Sequence, residues 1–191
     1  VSNRSPLRLL VGLGNPGRQY RDTKHNVGYW LIDRIVASHE LRLRRHECWA
    51  RVARVSIFDI PAIVAKPLTF MNSSGLAVRC LVEKYGLTAA ELVLVHDDVD
   101  IPVGRYRVKR RGGDAGHLGV RSVIQELGTG EFTRLRIGVG RPPLGGDAVA
   151  YVLSPFAEPQ REEVGRAIEE AMGALAELLG AQGPRQGQAG S

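Results

Sequence analysis

Leu92-Val93-Leu94-Val95-His96-Asp97 is a run of four apolar residues that ends on a histidine and an acid. Apolar residues without alternation fit a strand covered on both faces, so this segment is read as a central strand of a sheet packed between helices. Its polar end then lies where strands of an open α/β sheet open onto a crevice. Just upstream, Thr88-Ala89-Ala90-Glu91 has the spacing of a capping box.

Reading outward, the other elements alternate. Leu7 to Val11 is a buried strand stopped by Gly12, and Val27 to Ala37 has helical apolar spacing. Trp49 to Phe58 alternates as a strand, and Asp59-Ile60-Pro61 turns it into Ala62 to Ala65 as a hairpin. Asn72 to Tyr85 is a helix closed by Gly86. A short basic strand, Arg105 to Lys109, precedes the glycine-rich loop 112–116 and a helix from His117 to Leu127. Leu135 to Gly140 is a further strand, and Pro159 to Leu179 an amphipathic helix. Strands alternating with helices, with one hairpin, imply an α/β fold: a single three-layer α/β/α domain over residues 1–180 with a twisted mixed sheet. Residues 181–191 are Gly/Gln-rich and read as a disordered tail.

The chain has 191 residues and a formal net charge of +6, which permits a polyanionic partner without requiring one. Arg105, Arg107, Lys109, Arg110 and Arg111 cluster, and Arg134 and Arg136 sit on a later strand; a solvated strand face would look the same. No apolar run approaches the ~20 residues of a membrane span, and the polar start shows no signal peptide. A cytoplasmic protein is expected. Cys48 and Cys80 lack metal-type spacing and read as reduced, partly buried thiols in the interior of a strand and a helix.

Gly12-Leu13-Gly14-Asn15-Pro16-Gly17 fits the dinucleotide-binding fingerprint, with Asp33 near the position of its ribose-binding acid. The context does not fit. Residues 18–23 are polar and aperiodic where the fingerprint needs a helix N-terminus, Asp33 lies inside a helix, and the next strand folds back as a hairpin. His25, His96, His117, Asp97, Asp98 and Asp100 are potential metal ligands, but no chelating H-x-x-x-H pair is present. No G-x-S-x-G elbow marks a serine nucleophile. What remains is a His–Asp pair acting on water. The carboxylate would fix the imidazole tautomer while the other ring nitrogen takes a proton, and asparagine amides would donate to a developing oxyanion. Four junctions converge on this chemistry: His25-Asn26, Phe70-Met71-Asn72, His96-Asp97 and Gly116-His117. Any one of these histidines, taken alone, is more often a helix cap or a satisfied surface group.

Gly12 to Gly17, Tyr20 and Thr23-Lys24-His25-Asn26-Val27-Gly28 together resemble the opening of the bacterial peptidyl-tRNA hydrolase family. The resemblance continues through Lys66 to Gly75, His96 to Gly104, Gly112 to His117 and Arg134 to Pro142, in order over residues 8 to about 156. It implies a monomeric enzyme without cofactor or metal. Such an enzyme cleaves the ester between a peptide, or N-blocked amino acid, and the 3′ end of tRNA, recycling peptidyl-tRNA lost from ribosomes. It implies His25 as catalytic base and Asp97 as its orienting partner. Asn15 would tell a blocked α-amino group from a free one. Tyr20, Phe70, Met71, Asn72 and His117 would line the crevice, and Arg107, Lys109 and Arg136 would grip tRNA phosphate.

Three departures stand out. The family pattern Gly-His-Asn-Gly is Gly116-His117-Leu118-Gly119 here, so an apolar side chain replaces an amide at a substrate-binding position. Lys24 replaces a common arginine, keeping the charge without the fork geometry. The C-terminal tail lacks the family's usual ending. The Leu118 change raises the alternative of a tRNA- or RNA-binding relative with weakened catalysis.

Overall fold

The structure is a computed structural model that describes residues 7–180; the expected tail lies outside the described residues. Seven strands form one sheet: β1 (Arg8–Gly12), β2 (Arg45–Glu47), β3 (Ala50–Ile57), β4 (Ile60–Pro67), β5 (Leu92–Asp98), β6 (Tyr106–Lys109) and β7 (Thr133–Gly138). Their order is β2-β3-β4-β1-β5-β7-β6. β4, β1, β5 and β7 run parallel, and β2, β3 and β6 complete a mixed sheet through antiparallel pairs. β5 is interior and buried along its whole length, as its apolar run requires, although β1 occupies the middle position.

Helices cover both faces. The helices are α1 (Val27–Ser38), α2 (Ser74–Lys84), α3 (Leu118–Leu127), α4 (Ala148–Val152) and α5 (Glu158–Gly180). On one face Leu31 and Ile35 of α1 and Val164 and Ile168 of α5 pack with Leu10, Val93 and Leu135. On the other, Val78 and Leu81 of α2 and Val120 and Val123 of α3 pack with Leu9, Val11 and Leu94. The three layers anticipated from the alternation of elements are therefore present.

Gly12, which opens the nucleotide-like fingerprint, serves helix packing together with Gly28. A Cβ on Gly12 would lie 2.2 Å from the Gly28 carbonyl oxygen, and one on Gly28 would lie 2.5 Å from the Leu13 and Val95 oxygens. The start of α1 thus rests directly on the ends of β1 and β5, a separation no larger residue permits. Residues 18–20 form only a 3-10 turn, and Asp33 sits in α1 paired with Lys66.

Two local expectations need correction. The β3–β4 turn is Phe58-Asp59, both at positive φ, rather than 59–61; Ile60 and Pro61 already belong to β4. That is a two-residue hairpin turn built without glycine, so only Asp59 carried a turn signature and Phe58 did not. Cys48 and Cys80 are joined in a disulfide with a Cα–Cα distance of 5.5 Å. Cys48 lies in the β2–β3 turn and Cys80 in α2, so two positions 32 apart meet through tertiary packing that spacing alone does not encode.

Candidate active site

His25 lies in a 3-10 turn, Lys24–Asn26, immediately before α1. Both neighbours fix that turn. Lys24 is buried, donating its ammonium to Ser154 Oγ (2.9 Å) and the Pro155 carbonyl (2.7 Å) over the Tyr151 ring. Burial lowers its pKa, and its work is structural: it ties the segment after α4 to the turn. Asn26 donates Nδ2–H to the Asn15 carbonyl (2.9 Å) and accepts the Asn15 N–H (2.8 Å). Asn15 Oδ1 in turn accepts the Met71 N–H at 2.8 Å. A backbone N–H can only donate, so the oxygen of the Asn15 amide faces Met71 and its NH₂ is left for the cleft it lines.

Asp97, at the end of β5, is 3 % exposed and its Oδ1 accepts from two imidazoles, His25 Nδ1 and His117 Nε2, each at 2.8 Å. Burial alone would raise its pKa, but the electrostatic interactions and hydrogen bonds with His117 and His25 override that and hold it well below the ordinary carboxylate range. For His25, burial pulls the pKa down; the charge of Asp97 and its hydrogen bond outweigh this, and the net shift is upward.

The two imidazoles differ at their second nitrogen. His117 is the N-cap of α3, and its Nδ1 accepts the Gly119 and Val120 N–H groups at 3.1 and 3.3 Å. The cap fixes its tautomer: the lone pair is on Nδ1 and the proton on Nε2. His25 donates Nδ1–H to Asp97, which leaves the Nε2 lone pair free beside the cleft. The same reasoning bears on metal binding. The ligating atoms of His25, Asp97 and His117 lie within 4.8 Å of one another, but a cation on His117 Nε2 would need the lone pair there and a proton on Nδ1, facing two N–H donors. That arrangement does not suit a metal.

His96 is set apart from this chain. It is buried, donates Nδ1–H to the Asp97 carbonyl at 2.6 Å, and packs edge-on against His117. Burial first, then the electrostatic interaction with the nearby His117, pushes its pKa down to about 3, so it stays neutral.

The cleft is open, about 450 Å³, and runs past Asn15, His25, Asp97 and His117. Phe70, Met71, Asn72 and Leu118 line it, whereas Tyr20, expected in the crevice, is not among the lining residues and stands edge-on to Phe70 at 6.4 Å. The opposite wall went unread in the sequence: Ala148, Val149, Val152 and Leu153 from α4 and the residue after it. Asp147, which caps α4 through the Val149 N–H, followed by apolar residues two, five and six positions on, was the available signal. None of the three predicted phosphate ligands lines this cleft itself, but Lys109 and Arg136 border a small adjoining pocket that shares Asp98, Asp114 and Ala115 with it. Arg107 is exposed on edge strand β6, opposite Arg136 of β7, and Lys109 is half-buried opposite Arg134. Arg136 is engaged by Asp98 at 2.7 Å.

The chain matches proteins of known type over nearly its whole length. A family model described as peptidyl-tRNA hydrolase matches residues 9–188. The peptidyl-tRNA hydrolase of Aquifex aeolicus is 42% identical over 169 residues, 88% of each chain, and that of Methylococcus capsulatus 45% over 175 residues, 91% of this chain and 92% of the other. The crystal structure of peptidyl-tRNA hydrolase from Acinetobacter baumannii superposes with a TM-score of 0.85 at 30% identity, covering 95% of this chain and 93% of that one. The chain belongs to the peptidyl-tRNA hydrolase family.

Proposed function

We propose that this chain hydrolyses the ester between a peptide, or N-blocked amino acid, and the 3′ end of tRNA, with His25 as general base. The observation that carries the mechanism is the single free imidazole nitrogen in the chain His25–Asp97–His117. His25 Nε2 takes a proton from water as the water oxygen attacks the ester carbonyl. Asp97 stays ionised and stabilises the imidazolium that forms. When the tetrahedral species collapses, the carbonyl carbon parts from the ribose oxygen, and the imidazolium returns its proton to that oxygen. Water and the two side chains suffice for each step.

The Asn15 NH₂ suits discrimination. It can donate to the acyl carbonyl attached to a blocked α-nitrogen, whereas a free ammonium offers only further donors and no acceptor. Tyr20, Phe70, Met71, Asn72, His117 and Leu118 would hold the peptide and the terminal nucleotide. Arg107 and Lys109 would contact phosphate, with Arg136 contributing less because Asp98 already engages it. No described helix is long and apolar enough to cross a membrane, and a tRNA substrate favours the cytoplasm; we expect a monomer there. The weakened-catalysis alternative rests on Leu118 alone, and no hydrogen bond in the His25–Asp97–His117 chain uses that side chain. The test is release of N-acetylated amino acid from tRNA. Wild-type turnover well above that of His25→Ala supports the reading, and equal rates for the two would sink it.

A further inference from the structure

We propose that the Cys48-Trp49 turn and the arginines around it form a docking surface for an unpaired RNA strand, separate from the basic β6 edge. The proposal is independent of the hydrolytic mechanism. β2 and β6 are the two opposite edges of the sheet, six strand spacings or roughly 29 Å apart. Between residues 41 and 54 lie five arginines and one acid, Glu47. That acid is already engaged, by Arg45 at 2.9 Å, Lys84 at 3.0 Å and the Tyr85 hydroxyl. Arg54 lies over the Tyr85 ring at 5.3 Å. Arg42, Arg44 and Arg51 are exposed and have no ion-pair partner among the described residues.

Trp49 lies within this segment of sequence and is 66% exposed. It is also in an unfavourable backbone conformation: Cys48 and Trp49 have φ of +52° and +55°, a region that bulky side chains rarely adopt. Two bonds hold the turn there. One is the Cys48–Cys80 disulfide to α2; the other is the Leu68 N–H donated to the Trp49 carbonyl at 2.7 Å. Leu68 is two residues before Phe70 of the cleft, so the indole sits at the same end of the sheet as the catalytic groups. An uncovered indole on a turn held at two points, in a segment that carries three exposed arginines without ion-pair partners, combines the two elements of single-strand recognition. The indole offers a plane on which a base stacks, and the guanidiniums bind phosphate. A duplex keeps its base faces covered, so the strand must be unpaired. An acidic peptide would satisfy the arginines but leave the indole without a planar partner.

The test uses the intact chain with Trp30→Phe, which leaves Trp49 as the single indole of the two. Titration with an eight-nucleotide single-stranded RNA is expected to quench Trp49 fluorescence, and the same strand in a duplex is not. Fluorescence anisotropy of labelled RNA, with the opposite edge neutralised by Arg107→Gln and Lys109→Gln, reads affinity at this surface. There Trp49→Ala is expected to weaken binding about 5- to 100-fold. Trp49→Phe should restore most of that loss, which separates stacking from misfolding. Arg51→Gln should lower the slope of log affinity against log salt by about 0.7. The proposal is overturned if the strand does not quench Trp49, if Trp49→Ala binds like its parent, or if octaglutamate quenches as well as RNA does.

Discussion

The turn before α1 and the start of α3 each present one histidine to the same oxygen of Asp97, at the same 2.8 Å, yet their second nitrogens are placed in opposite ways. At α3 the second imidazole nitrogen is consumed by two helix N–H groups, so His117 is an anchored donor. Before α1 the second nitrogen faces the cleft, so His25 can accept a proton. A contact to the shared carboxylate does not distinguish a base from a brace. What each ring does with its other nitrogen distinguishes them.

The largest expected break in that contrast is His25→Ala, which should lower kcat/KM by about 10²–10⁴-fold in N-acetyl-aminoacyl-tRNA hydrolysis, the usual value of a positioned base. His117→Asn should cost less, about tenfold. Asparagine keeps the cap of α3 while giving up the bond to Asp97, so thermal stability should change little, whereas His117→Ala should also lose about 1 kcal/mol of unfolding free energy. Reversal of that order in the rate assay would make His117 the base.

His96 sharpens the contrast through stability. Its folded pKa, about 3, lies below the ordinary histidine value near 6.5, so the unfolded chain binds one more proton between those limits. Stability at this site is therefore complete above pH ~6.5 and falls by about 1.4 kcal/mol per pH unit below it. Denaturant melts of His96→Asn from pH 6.5 to 4.5 should show a slope shallower by about that amount. An unchanged slope would mean His96 is protonated in the native chain.

The smallest effect is expected at Leu118. The cleft still offers the amides of Asn15 and Asn72, so Leu118→Asn should raise kcat/KM by only about two- to tenfold, the worth of one hydrogen bond. A gain of a hundredfold or more in single-turnover assays would show that the missing amide holds the attacking water.

Much of this was legible in the sequence because period and chemistry agreed locally. The apolar run 92–95, the capping box at Thr88 and the stop at Gly86 each read directly as structure. Gly12 was read as part of a false fingerprint and Gly28 only as part of a resemblance block, since their shared purpose, letting α1 touch two strand ends, depends on packing between segments. The disulfide and the α4 wall were missed for the same kind of reason. Cys48 and Cys80 meet only after β2 and α2 are in place, and a five-residue helix gives too short a period to register. His117 was read at the start of a helix, where a lone histidine is more often a cap; that its ring caps α3 and reaches Asp97 at once depends on how α3 packs on β5.

The central claim, that Asp97 holds and tunes His25 as the base, is tested most directly by the pH dependence of kcat/KM for the wild type and Asp97→Asn. The wild-type acid limb should follow one group titrating above the ordinary histidine value, because Asp97 raises the His25 pKa. In Asp97→Asn the rate should drop and the acid limb should move to lower pH, since the raising charge is gone. An acid limb that stays in place, or moves up, would contradict the account.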